Sequence, residues 1–90
     1  MLFHLTGHVT DTSKIDALIE EEMRVTGILF AEGVMKRSLR RSDGPGVFTI
    51  IEAADEEEAR RQMGRLPLVK GGVLEFDYAP VIDLVEPSDG

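Results

Sequence analysis

Along the opening run Leu2-Phe3-His4-Leu5-Thr6-Gly7-His8-Val9, one parity holds Phe3, Leu5, Gly7 and Val9 and the other holds Leu2, His4, Thr6 and His8. Successive strand side chains point to opposite faces, so the pattern predicts a strand with one apolar face and one face carrying imidazoles. Asp11, Thr12 and Ser13 then offer N-cap side chains, and Ile15, Leu18, Ile19, Val25, Ile28 and Leu29 recur at largely helical spacing. With Glu32-Gly33 as a stop, these predict a helix of about twenty residues, weakened at Gly27.

Residues 34–41 read as a second strand, and Ser42-Asp43-Gly44-Pro45-Gly46 marks a turn into a hairpin partner over 47–52. Asp55 can cap a second helix over 56–63, whose acidic first turn and later arginines suit the helix dipole, and Gly64 ends it. An apolar connector, Leu66-Pro67-Leu68-Val69, leads through Lys70-Gly71-Gly72 to an alternating fourth strand over 73–78, with a further short strand expected within 81–85. The order β-α-β-β-α-β predicts an α+β, ferredoxin-like fold: a four-stranded antiparallel sheet with two helices on one face. One domain is expected over 1–85, with 86–90 a flexible C-terminal tail.

Two helices cover one face of such a sheet and leave the other open. A ninety-residue chain buries only about 60 to 65 % of its unfolded surface, so its own core is thin. Packing the open face against a second copy is the usual remedy, and the expectation is a homodimer, or a higher homo-oligomer of dimers, with these faces turned inward.

Composition narrows the chemistry. The chain has no Cys, which excludes disulfides, thiolate metal sites and a cysteine nucleophile. Seventeen acidic residues against ten basic ones give a net charge of −7, which repels nucleic acid and anionic membranes. No basic leader precedes a long apolar run and no stretch approaches a membrane span, so a cytoplasmic protein is expected. No cofactor motif is present: the glycines of 42–46 are followed by neither a helix nor a Gly-Lys-Ser/Thr pattern.

Parity gathers His4, Thr6 and His8 of the first strand with Glu75 and Asp77 of the fourth on the open face. In the second strand, Met35 and Leu39 suit the helical side, which leaves Val34, Lys36, Ser38 and Arg40 turned inward. Imidazole, carboxylate and guanidinium in one cavity suit proton transfer next to a carbonyl, with a cation to hold an anionic substrate group. A neutral imidazole, with a reference pKa of about 6.5, can serve as base and predicts a histidine-dependent pH profile. The candidate catalytic residues are His4, His8 and Glu22, the last beside the apolar stripe of the first helix and within reach of a cavity mouth; the candidate substrate-binding residues are Lys36, Arg40, Glu75 and Asp77. Each has a plainer role available, as a hydrogen-bonded strand residue, a salt-bridge partner or a rim carboxylate. Metal binding by the two histidines is excluded by a strand spacing of about 13 Å.

The start Met1-Leu2-Phe3-His4, the Gly33 helix end before a basic strand, Phe48-Thr49-Ile50, Gly64-Arg65-Leu66-Pro67-Leu68 and Glu75-Phe76-Asp77 with Pro80, in that order, resemble muconolactone delta-isomerase and its relatives over about residues 1–81. The resemblance implies a dimeric α/β barrel and a cofactor-free enzyme of aromatic-compound catabolism that moves a double bond in an unsaturated, carboxylated lactone. By that resemblance Arg40 matches an arginine of the family's basic second strand, His4 its first-strand histidine and Glu22 a helix glutamate. Met35 and Leu39 stand where the family is rich in Trp, His8 replaces an acidic position, and Lys70-Gly71-Gly72 lengthens the approach to the last strand. The favoured reading is an isomerase-like enzyme acting on a small carboxylated or lactone substrate. The alternatives are another enzyme of the same architecture, such as a cofactor-free monooxygenase or polyketide cyclase, and a non-catalytic ligand-binding or assembly protein.

Overall fold

A computed structural model describes residues 1–85; the expected flexible tail, 86–90, lies outside the described residues. The chain forms β1 (Leu2–Val9), a 3-10 turn (Thr12–Lys14), α1 (Ile15–Ala31), β2 (Met35–Arg40), β3 (Val47–Glu52), α2 (Glu56–Met63), α3 (Pro67–Lys70) and β4 (Leu74–Val81). The four strands make one sheet in the order β2-β3-β1-β4, every neighbouring pair antiparallel. The expected ferredoxin-like α+β fold is what forms.

Local chemistry accounts for most boundaries. Asp11 accepts a hydrogen bond from the Ser13 N–H (2.9 Å) and so starts the helical segment in the 3-10 turn before α1. Gly33, with φ +79, turns the chain out of α1, and its neighbour Val34 returns an N–H to the Leu29 carbonyl. At α2, Asp55 accepts from the Glu58 N–H (2.8 Å) while the Glu58 carboxylate accepts from the Ala54 N–H (2.7 Å), so two N-terminal donors are satisfied in reciprocal fashion.

The helices cover one face only. Phe3 and Leu5 of β1 and Ile51 of β3 are fully buried against Val25 and Leu29 of α1 and Met63 of α2. Each such side chain contributes roughly 1.5–3 kcal/mol of transfer free energy. A second cluster, Leu68, Val73 and Leu74, is closed by Ile15 and Leu18 of α1 and seats α3.

Three expectations change. The apolar connector after α2 is the short helix α3: Pro67 at its first position has a fixed φ suited to starting a helix, and four residues are too few to show a period. The last strand runs on through Val81, with no separate strand after it among the described residues, because Pro80 is tolerated on the sheet's edge. Gly7 makes room for the neighbouring strands, since a Cβ there would meet the side chains of Phe76, Leu74 and Val47 at 3.0–3.3 Å. The largest change lies in β2. The pairing with β3 shifts by one residue between Met35 and Arg37, leaving Lys36 as the extra residue of a bulge. Met35 therefore faces the helices opposite Ile51, but beyond the bulge Arg37 and Leu39 share the open face with Ile50 and Phe48. Arg40, opposite Val47, lies on the helix-side parity, so the inward placement of Lys36, Ser38 and Arg40 expected from uninterrupted alternation does not hold.

Candidate functional site

The open face is laid out in rows by the register. Arg37, Ile50, His4 and Ala79 form one row across the four strands; Leu39, Phe48, Thr6 and Asp77 form the next; His8 and Glu75 face each other beyond it. Both histidines, Glu75 and Asp77 thus share one face as expected.

His8 and Asp77 are brought into direct contact: Nε2 of the imidazole lies 2.8 Å from Oδ2 of the carboxylate, a diagonal reach between neighbouring strands. With the carboxylate ionised and the imidazole neutral, the contact assigns the proton to Nε2 as donor and the lone pair to Nδ1. That is the arrangement by which a carboxylate orients a general base and stabilises the imidazolium formed when it takes a proton. Both side chains are open to solvent, at 56 % and 81 % exposure. His4, half-buried four residues earlier on the same face, packs against Phe48 with ring centroids 5.9 Å apart at 34°.

Glu22 is not part of this group. It lies in the helical layer on the other side of the sheet, only 7 % exposed, and its Oε1 accepts the backbone N–H of Leu68 at 3.0 Å. Leu68 is the second residue of α3, so Glu22 caps that helix from α1. Burial pushes its carboxyl above the ordinary carboxylate range, with the Leu68 N–H pulling the other way. Glu22 does lie beside the apolar stripe of α1, as expected, but the sheet stands between that stripe and the histidines, which is a tertiary fact.

Lys36, in the bulge, extends its ammonium toward Gly33. Two further cations of the basic cluster Lys36, Arg37, Arg40 and Arg41, a run able to attract a small carboxylate, stand outside the expected site. Arg37 shares the row of His4, a placement that depends on the bulge and has no signature in the sequence. Arg41, just past β2, lines a cleft of about 320 Å³ with Thr6, His8, Val9, Pro45 and Phe48, at the end of the open face where the β2–β3 hairpin overhangs β1. The turn signal at 42–46 marked the hairpin that puts Arg41 there. Among the described residues, no cluster of three or more His, Cys, Asp or Glu side chains is spaced to hold a metal ion, and no helix is long and apolar enough to cross a membrane.

No protein-family model and no curated protein matches the sequence. Solved structures do match in shape. An uncharacterised NIPSNAP domain protein from Burkholderia xenovorans aligns over 97 % of this chain and all of its own, at 13 % identity and a TM-score of 0.52. The 5-chloro-2-hydroxyhydroquinone dehydrochlorinase of Burkholderia phenoliruptrix AC1100, solved with 2,5-dihydroxybenzoquinone, aligns over 91 % of this chain and 94 % of its own, at 17 % identity and a TM-score of 0.65. Muconolactone isomerase aligns over 99 % of this chain and 98 % of its own, at 20 % identity and a TM-score of 0.78. The resemblance read from the motifs is thus met by the whole molecule, and the chain has the fold of muconolactone isomerase.

Proposed function

We propose that this protein is a cofactor-independent, isomerase-like enzyme that moves a proton, and with it a double bond, within a small carboxylated or lactone substrate of aromatic-compound catabolism. The observation that carries the reading is the His8–Asp77 pair at 2.8 Å, on an uncovered sheet face beside a cleft that also holds a cation. The shared fold with muconolactone isomerase, and with a dehydrochlorinase solved with a quinone, supports it. His8 takes a proton through Nδ1 from the carbon next to the substrate carbonyl. Asp77 stabilises the resulting imidazolium, which exchanges its proton with solvent at this exposed position, and a proton is returned at the far end of the conjugated system, so one proton is removed and one is added and no electron is gained or lost. His4, one face with His8 and backed by Phe48, is the second proton-handling group, while Glu75 opposite His8 sets the charge at the rim. Glu22, on the far side of the sheet, takes no part. The active form is a homodimer whose open faces meet, because an exposed dyad gains its water-excluded surroundings only when a second sheet covers it.

The test is proton NMR of the protein with muconolactone in deuterium oxide, with His8→Ala, His4→Ala and Asp77→Asn variants alongside. Double-bond migration with deuterium incorporation is expected, reduced about 100-fold or more in His8→Ala and less in Asp77→Asn, in the range typical of a lost general base and its orienting partner. Undiminished turnover in His8→Ala overturns the assignment of the base. Absence of turnover by folded protein overturns the literal reaction.

A further inference from the structure

The cleft at the hairpin end of the open face has a cation, Arg41, at its rim. The backbone N–H of Arg41 donates to the Gly46 carbonyl at 3.0 Å, closing the hairpin, and its guanidinium makes a two-pronged contact with Asp43, Nε to Oδ1 and Nη2 to Oδ2 both at 2.9 Å. Gly46 has φ +141, and a Cβ at this position would lie 3.0 Å from Cδ and 3.4 Å from Cγ of Arg41, so the stem of the arginine runs against the bare glycine backbone. Backbone, stem and head group are all held at the rim of the cleft. The remaining walls divide in chemistry: Val9, Pro45 and Phe48 are apolar, while His8 and Thr6 bring polar groups from β1.

We propose that this cleft is the subsite for a small unsaturated or aromatic monocarboxylate, read by the guanidinium of Arg41, and that Asp43 holds the place of the ligand's carboxylate until it arrives. The proposal rests on the proton-transfer reading for its consequence, since it would put the ligand's acid group on Arg41 and its unsaturated carbons toward His8. Its own support is geometric. Arg41 already presents two parallel N–H donors to a carboxylate, the arrangement an incoming carboxylate would reproduce. The exchange replaces like with like, and the bond being exchanged is a solvent-exposed ion pair, a class that contributes little to stability. A volume of about 320 Å³ lies at the small end of ligand sites and suits a single ring with one acid group. The overall charge of −7 repels anions at long range, so affinity depends on a local, pre-positioned cation, and Arg41 is the arginine that lines this cleft.

The experiment is a titration of the 15N-labelled protein, and of its Arg41→Gln and Asp43→Asn variants, with sodium benzoate and with neutral benzamide, followed by amide chemical shifts. Benzoate is expected to shift the signals of 6–9 and 41–48 saturably, and benzamide to bind at least tenfold more weakly. Arg41→Gln should lose about tenfold in benzoate affinity, the usual weight of a charge-assisted contact. Asp43→Asn should bind benzoate about threefold more tightly, because the competing carboxylate is gone. Equal binding of benzamide, benzoate affinity retained in Arg41→Gln, or no gain in Asp43→Asn overturns the proposal. The spectra themselves report whether each variant is folded, and Asp43→Asn leaves Arg41 in place. Failure here is separable from failure of the reaction: turnover of muconolactone with no benzoate-dependent shifts in the hairpin rejects this subsite alone, whereas benzoate binding without turnover rejects the reaction and keeps the subsite.

Discussion

Single residues on this sheet acquire their roles from what stands across from them. His8 has a proton-transfer geometry because Asp77 lies diagonally opposite on β4, and neither residue type by itself conveys that. Glu22 is the converse case, a carboxylate beside an apolar stripe that is spent on capping α3. Its raised pKa has a definite sign for stability. A carboxyl that holds its proton more tightly when folded contributes most below the ordinary pKa of 4.5, and that contribution is lost as the pH rises through the folded value. Glu22→Gln keeps an oxygen to accept from Leu68 but does not ionise. The difference in melting temperature, variant minus parent, is therefore expected to grow in the variant's favour from pH 4 to pH 7. A difference that stays constant over that interval would show the carboxyl to be unperturbed.

At the scale of elements, caps and breakers did most of the work. Asp11, Asp55, Gly33 and Gly64 were legible because each satisfies or ends a helix through its own chemistry, without help from distant parts of the chain. The 3-10 turn and α1 together span the expected helix, and α2 begins and ends where its cap and its glycine put it. Within α1, Gly27 is exposed, and a Cβ there would have nothing within 4 Å. Gly27→Ala is expected to stabilise the fold by about 0.5–1 kcal/mol through helix propensity and a less flexible unfolded chain, read as a higher denaturation midpoint at unchanged slope. What the elements did not disclose was the bulge at Lys36. A bulge depends on how two strands settle against each other, and a run such as Met35-Lys36-Arg37-Ser38-Leu39-Arg40, with basic residues on both parities, has no strong alternation to betray it. That one residue moved Arg40 away from the expected site and placed Arg37 in the row of His4.

For the whole molecule, the sheet is the organising object. One face is sealed by three helices and the other carries Phe48, Ile50 and Leu39 among its histidines and acids, with Leu39 48 % exposed. The proposed dimer buries these residues, so Phe48→Glu is expected to yield a folded monomer, seen as a halved mass by sedimentation with an unchanged far-UV spectrum. A Phe48→Glu protein that sediments like its parent would remove the open face from the interface. Fold and faces were largely readable beforehand, because the parity of β1 and β4 and the capped helices depend on chemistry within a few residues of each other. The face that bears His4, His8, Glu75 and Asp77 was legible for the same reason. Only the tertiary structure decided that His8 meets Asp77, that Glu22 lies behind the sheet, and that the second strand slips by one residue to turn Arg37 onto the open face while the hairpin carries Arg41 to the cleft. Those facts depend on register and packing between segments far apart in the chain, where the free-energy differences among alternatives are set by many contacts at once.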